Sequence, residues 1–368
     1  MSRPLVLWPS SAGGPKRVAL RFPPQDLAES APGAAWRILV CVLSSVGMIK
    51  HSHHHVPARA GILLFLTAFS TPLPAAPARP ALWVDAIEGE PLTFDELLDE
   101  LGLARVVYLG EYHSIPRHHA LETRILQGLA RRSRPLVLAM EQFDFTAQPA
   151  LDKFNSGELD LEGLIRQSDW DKQWAAHTNY HALLLVARRH GIPVLALNAR
   201  QKTIRAIAFH GLGGLSPNQR RELPKNILTD DPLYRRLLNR ELSVHVAFKP
   251  GQLRSVFEAQ VARDETMAAR LVAFLNSPAG RGRTAVVICG QGHCEFGFGV
   301  PDRVARRAPG ICQRIVLFSE SGDLHLTAKE RKESREVDIS HQFLRDLGRP
   351  PGDFFQVTGI ASDRDRTQ

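Results

Sequence analysis

The 368-residue chain is 44% apolar and 23% charged, with 27 Gly and 25 Pro. That balance supports a sizeable buried core and excludes disordered, collagen-like and disulfide-stapled miniprotein classes. Lys and Arg outnumber Asp and Glu by 46 to 38, a net charge of +8, which argues for an anionic partner only if the charge belongs to the folded domain.

It largely does not. Residues 1–78 hold seven Lys/Arg and two acids, so five of the eight positive charges lie there and about +3 remains for the rest. This stretch is rich in Pro, Gly, Ser and Ala without sustained helical or strand periodicity, and it reads as a leader. From Met48 it has the order of a secretory signal: Lys50, a cluster of His51, His53, His54 and His55, Arg59, the apolar run 60–69, then Ala76-Pro77-Ala78 as small residues at a cleavage point. The run is about half of the ~20 residues a spanning helix needs. The expectation is an exported protein starting at Met48 and cleaved near Ala78, in the periplasm or at a membrane. Downstream, Cys289, Cys294 and Cys312 permit one disulfide at most.

Thr93-Phe94-Asp95-Glu96 is a capping box that starts a helix. Short, continuously apolar runs follow, each ending in polar residues or glycine: 105–109, 136–140, 194–197, 284–289 and 314–318. Strands apolar on both faces are covered on both faces. Helical patterns at 118–131, 180–190 and 256–276 lie between them, so the fold class is α/β, a mostly parallel sheet flanked by helices. The interval 202–254 has no strand-like run and carries Pro217, Pro224, Pro232 and Pro250, with a helical piece from Tyr234 to Val246. It reads as a smaller all-helical insertion between core segments 79–201 and 255–360.

Ligands of open α/β sheets bind beyond the carboxyl ends of the strands. There the sequence places Gly110-Glu111-Tyr112-His113, Glu141-Gln142, Asn198-Ala199-Arg200 and Gly290-Gln291-Gly292-His293. Two G-x-x-H segments with a carboxylate suit a divalent metal, and imidazole or a tyrosine oxygen equally suits haem iron. His118 and His119 open the next helix, where one facing the site is conceivable but solvated first-turn positions are favoured. Trp170, Trp174, His177, Tyr180 and His181 either line a flat ligand or pack into the core. Gln260, Asp264 and Met267 share one face of the long helix, pointing into the crevice or to solvent. No run of Lys and Arg with interleaved aromatics suggests nucleic acid.

These motifs together (107–113 with His118-His119, 139–143, Trp174 with 180–184, 194–200, 259–268, and 287–293 with 299–301) resemble the ChaN family of haem-binding proteins over about residues 82–318, and 353–358 resembles its closing strand. The resemblance implies an exported haem-binding protein of iron or haem acquisition, with outer-membrane or periplasmic uptake components as partners and a possible homodimer. It carries over Glu111, His113, Glu141 and His293, and the haem site is expected among Tyr112, His113, His118, Asn198, Arg200, Asp264 and His293. The wider group, with the Tiki and TraB proteins, shares paired G-x-x-H motifs and a glutamate and includes metal-dependent proteases. The alternative is therefore a metal-dependent hydrolase, with the ion on His113, Glu141 and His293 and Glu111 as general base. ChaN proteins are often lipoproteins, yet no cysteine follows the apolar run here, which puts lipid anchoring in doubt.

Overall fold

The computed structural model describes residues 19–22, 82–132, 134–245, 250–319, 335–338 and 341–357. The signal-like segment from Met48 to Ala78 and the end of the closing strand at Thr358 lie outside them. Eight strands form the main sheet: β1 (Leu82–Asp85), β2 (Pro91–Leu92), β3 (Val106–Glu111), β4 (Leu136–Asp144), β5 (Val194–Asn198), β6 (Thr284–Gly290), β7 (Gln313–Phe318) and β8 (Phe354–Val357). Their order is β2-β1-β8-β7-β3-β6-β4-β5. Pairing is parallel from β8 through β5, and β1 alone is reversed, pairing antiparallel with both β8 and the edge strand β2. The mostly parallel α/β class is thus the observed one. A separate antiparallel ribbon joins Ala19–Phe22 to Arg335–Asp338.

Both faces of the sheet are covered, which is why its strands read as unbroken apolar runs. Alternation assigns Val107, Leu109, Leu138, Met140, Val286 and Ile288 to one face, where they are buried with α1 (Phe94–Leu103), α2 (Pro116–Arg131), α3 (Gln148–Ser156), α4 (Leu161–Ser168) and α5 (His181–Arg189). Val106, Tyr108, Val137, Ala139, Ala285 and Val287 occupy the other face, under α8 (Pro250–Asn276) and α9 (Val300–Arg307). The capping box on α1 is complete: Glu96 N–H donates to Thr93 Oγ1 at 3.2 Å, and Thr93 N–H donates to the Glu96 carboxylate at 2.7 Å.

Among the described residues of 202–254 no strand occurs, and the helices there are α6 (Gln201–His210), a short helix at Pro217–Arg221, α7 (Pro232–His245) and the start of α8, joined by non-helical links. Val246, the proposed end of the helical piece, lies outside the described residues. Ile204, Ile207 and Leu223 pack on Val256, Ala259 and Ala262 of α8. Tyr234 and Leu237 of α7 pack on Phe257 and Val261 and on Phe296 and Phe298 of the loop after β6. The long helix therefore carries the core on one side and the insertion on another.

Candidate functional site

The carboxyl ends of β3, β4, β5 and β6 converge, and strand parity sorts their polar residues onto two sides of the sheet edge. Glu111 follows Val107 and Leu109 toward α2; Glu141 follows Val137 and Ala139 toward α8. Two buried polar clusters result.

The first centres on Glu111, fully buried. Its Oε1 accepts from His113 Nδ1 at 2.7 Å, Tyr180 Oη at 2.6 Å and Gln142 Nε2 at 2.9 Å. Its Oε2 makes no well-angled hydrogen bond, although His119 Nδ1 lies 2.9 Å away. His119 Nδ1 is also 3.3 Å from Glu122 Oε2, and its Nε2 donates to the His113 carbonyl at 3.1 Å. Burial opposes charge on Glu111, but His113 and His119 outweigh it and hold the carboxyl below the usual range. Burial and the neighbouring Glu111 charge push Glu122 well up. Burial would depress His119, yet the adjacent Glu111 and Glu122 carboxylates raise it to about 10. Trp174, half-buried, stands edge-on to the His113 ring, 4.9 Å between centroids.

The second cluster holds His293 between two carboxylates: Nδ1 is 2.6 Å from Asp264 Oδ1, and Nε2 is 3.1 Å from Glu141 Oε1. Gly290 N–H donates to Glu141 Oε2 at 2.8 Å, and Tyr234 Oη donates to Asp264 Oδ2 at 2.9 Å. Gln260 approaches His293 Nδ1 at 3.0 Å. Burial would lower His293, but Glu141 and Asp264 raise it to about 10; burial would raise Glu141, but His293 lowers it to about 2.

These shifts have a stability consequence. The raised His293 contributes fully below its ordinary value of 6.5 and less as pH climbs toward 10, whereas the lowered Glu141 contributes above its ordinary 4.5 and less as pH falls toward 2. Urea denaturation is expected to show this pair stabilising most between pH 4.5 and 6.5. His293→Gln should flatten the decline above pH 6.5 by the slope of one proton, about 1.4 kcal/mol per pH unit; an unaltered alkaline limb would contradict the assignment.

Glycines shape the loops. A Cβ on Gly110 would sit 2.6 Å from Leu317 Cδ2 and 2.8 Å from Cys294 Sγ, so Cys294 fills the space over the strand. Gly299 has φ +66°, and a Cβ there would stand 2.3 Å from the His293 carbonyl oxygen. Gly299→Ala is expected to cost about 2–3 kcal/mol, because left-handed backbone and a backbone clash combine; chemical denaturation measures it.

The remaining expected site residues separate. Tyr112 is half-buried, its hydroxyl accepting from Gln291 Nε2 at 2.8 Å. His118 is buried rather than solvated, which corrects the first-turn reading. Its Nδ1 accepts from Tyr112 N–H at 3.0 Å and its Nε2 meets the Ser319 carbonyl at 3.2 Å. Burial first, with Arg117 nearby, lowers it to about 4, so it is a neutral loop clamp. Asn198 Nδ2 donates to the Glu141 carbonyl at 2.9 Å and so braces the irregular pairing of β4 with β5. Arg200 is exposed and pairs with Glu222 at 2.8 Å on the insertion. Gln260, Asp264 and Met267 are all buried, so the solvated reading of that face fails. Trp170 stacks on Phe143 at 4.2 Å, in the core.

Sequence reasoning missed His119, Glu122 and Tyr180 as members of the first cluster. Among the described residues, Glu111, His119 and Glu122 form the trio whose ligand atoms all lie within 4.8 Å of one another; of the expected trio, Glu141 and His293 meet, while His113 turns Nδ1 to Glu111.

Residues 97–304 match the model of a family described as haem-binding uptake, Tiki superfamily, ChaN. A solved structure reported as cofacial haem binding to ChaN of Campylobacter jejuni superposes with a TM-score of 0.56 at 19% identity, covering 76% of this chain and 97% of that one; at that identity the likeness concerns the fold. Protein RETICULATA-RELATED 5, chloroplastic, of Arabidopsis thaliana is 28% identical over 288 residues, 72% of this chain. The chain spans only 36% of that relative's length.

Proposed function

The chain belongs to the ChaN family of the Tiki superfamily, and from that premise we propose that it binds haem beside the carboxyl ends of its strands, with His113 as a ligand to the iron. The observation that carries this reading is the state of the His113 ring. Nδ1 is tied to the Glu111 carboxylate at 2.7 Å, whereas Nε2 is buried without a hydrogen-bond partner. A carboxylate on one nitrogen fixes the tautomer and leaves the other nitrogen's lone pair for a metal. His293 is a poorer candidate because both its nitrogens face carboxylates. Trp174 beside His113 offers an apolar edge to a macrocycle, and the half-buried Tyr112 supplies an oxygen near the same loop.

Bound haem supplies an iron centre that can be carried or can exchange ligands. The protein's part is to orient the His113 ring through Glu111, Tyr180 and Gln142, and to keep that carboxylate ionised. Export and a place in iron or haem acquisition belong to the same proposal, supported by the signal-like leader and the family's description. The hydrolase reading has less support: of its metal trio only Glu141 and His293 meet, while His113 turns Nδ1 to Glu111, and a general base needs moderate basicity, whereas His113 and His119 hold the Glu111 carboxyl below the usual range. Titration of purified protein with haemin is expected to give a saturable Soret shift at micromolar concentration, and no shift would overturn the proposal.

A further inference from the structure

We infer that Glu111, His119 and Glu122 form a binding site for a divalent first-row transition-metal ion, separate from the haem-iron ligand His113. The three side chains are at most 3% exposed and come from two elements, the end of β3 and the first two turns of α2. Their ligand atoms already converge: His119 Nδ1 is 2.9 Å from Glu111 Oε2 and 3.3 Å from Glu122 Oε2. Ligands around one such ion at about 2.0–2.2 Å are separated by up to roughly 4.3 Å, so the observed spread within 4.8 Å closes with small side-chain rotations.

The hydrogen bonds around the trio have the arrangement of an outer shell. His119 Nε2 donates to the His113 carbonyl at 3.1 Å, which leaves Nδ1 as the nitrogen directed at the carboxylates. An imidazole lone pair facing two carboxylates is repulsive unless a proton or a metal cation lies between them. On Glu111 the three donors all go to Oε1, and Oε2, the oxygen nearest His119, receives no well-angled hydrogen bond. Glu122 Oε1, also fully buried, has no partner either. Buried carboxylate oxygens without donors are costly, and a cation held by Glu111 Oε2 and by both oxygens of Glu122 would satisfy them together. One imidazole with two carboxylates suits manganese, iron, cobalt or zinc rather than calcium or magnesium, which prefer all-oxygen shells. The site goes beyond haem binding and does not depend on it, because His113 Nε2 takes no part.

Cobalt(II) is the probe, added to haem-free, chelator-washed full-length protein in which His51, His53, His54 and His55 are alanine, so that the leader cluster adds no signal. The expected result is about one equivalent bound with visible d–d bands, affinity at least tenfold weaker in Glu122→Gln, and no change in His293→Gln. X-ray absorption of the loaded protein, without any site substitution, should read one imidazole among oxygen neighbours. No cobalt bound, native affinity in Glu122→Gln, loss in His293→Gln instead, or two imidazoles in the spectrum would each overturn the assignment. A haemin titration of Glu122→Gln separates the two readings: metal affinity falls while the Soret shift persists.

Discussion

Replacing His113 with alanine is expected to remove the Soret shift at haemin concentrations that saturate the native protein, a loss of at least about a hundredfold, or ~2.7 kcal/mol. The substitution deletes the one nitrogen of the cluster that is buried and unpartnered, Nε2. It should leave the fold intact, because Glu111 Oε1 keeps its bonds from Tyr180 at 2.6 Å and Gln142 at 2.9 Å. Glu111→Gln tests the orienting role: it keeps the imidazole but weakens the carboxylate partner, and outer-shell changes of this kind typically cost about 10–100-fold. His293→Gln should bind haemin as the native protein does, since its nitrogens are already engaged by Asp264 and Glu141. Loss of binding in His293→Gln with retention in His113→Ala would reverse the ligand assignment.

The strand ends that carry Glu111, Glu141, Asn198 and His293 were legible because a parallel sheet buried on both faces leaves a strong signal: an apolar run, then an abrupt polar residue. Strand parity, also present in the sequence, separates Glu111 from Glu141 across the sheet. His119 and Glu122 were harder to see, since polar residues in a first turn usually face water. The available signal was their spacing with Leu126 and Leu129, which puts them in line with the buried face of α2. Tyr180 was visible only as one of several aromatics; its bond to Glu111 spans 69 residues of chain and has no local signature. Arg200 misled because it follows a strand end, yet its long side chain turns outward to Glu222 on the insertion.

The largest stability effect is expected at Glu265, on the flank of α8 that meets α9. Its carboxylate, fully buried, receives Arg306 at 2.6 Å, lies 3.7 Å from Arg303 Nε and is also paired with Arg307. It accepts from Leu228 N–H at 3.1 Å as well, so one side chain joins α8, α9 and the insertion. Glu265→Ala strands the Arg303 guanidinium, 2% exposed, with Asp231 at 3.9 Å as its nearest remaining carboxylate. Removing one partner of a buried ion pair costs about 3–5 kcal/mol, a large share of the ~5–15 kcal/mol by which a domain is stable. Arg306→Ala, by contrast, removes a side chain that is 37% exposed, and screening by solvent limits its cost to about 1 kcal/mol or less. Urea denaturation of the two variants at one pH measures the difference. Equal costs would show that Glu265 acts as an ordinary surface carboxylate and that the insertion is held by its apolar contacts alone.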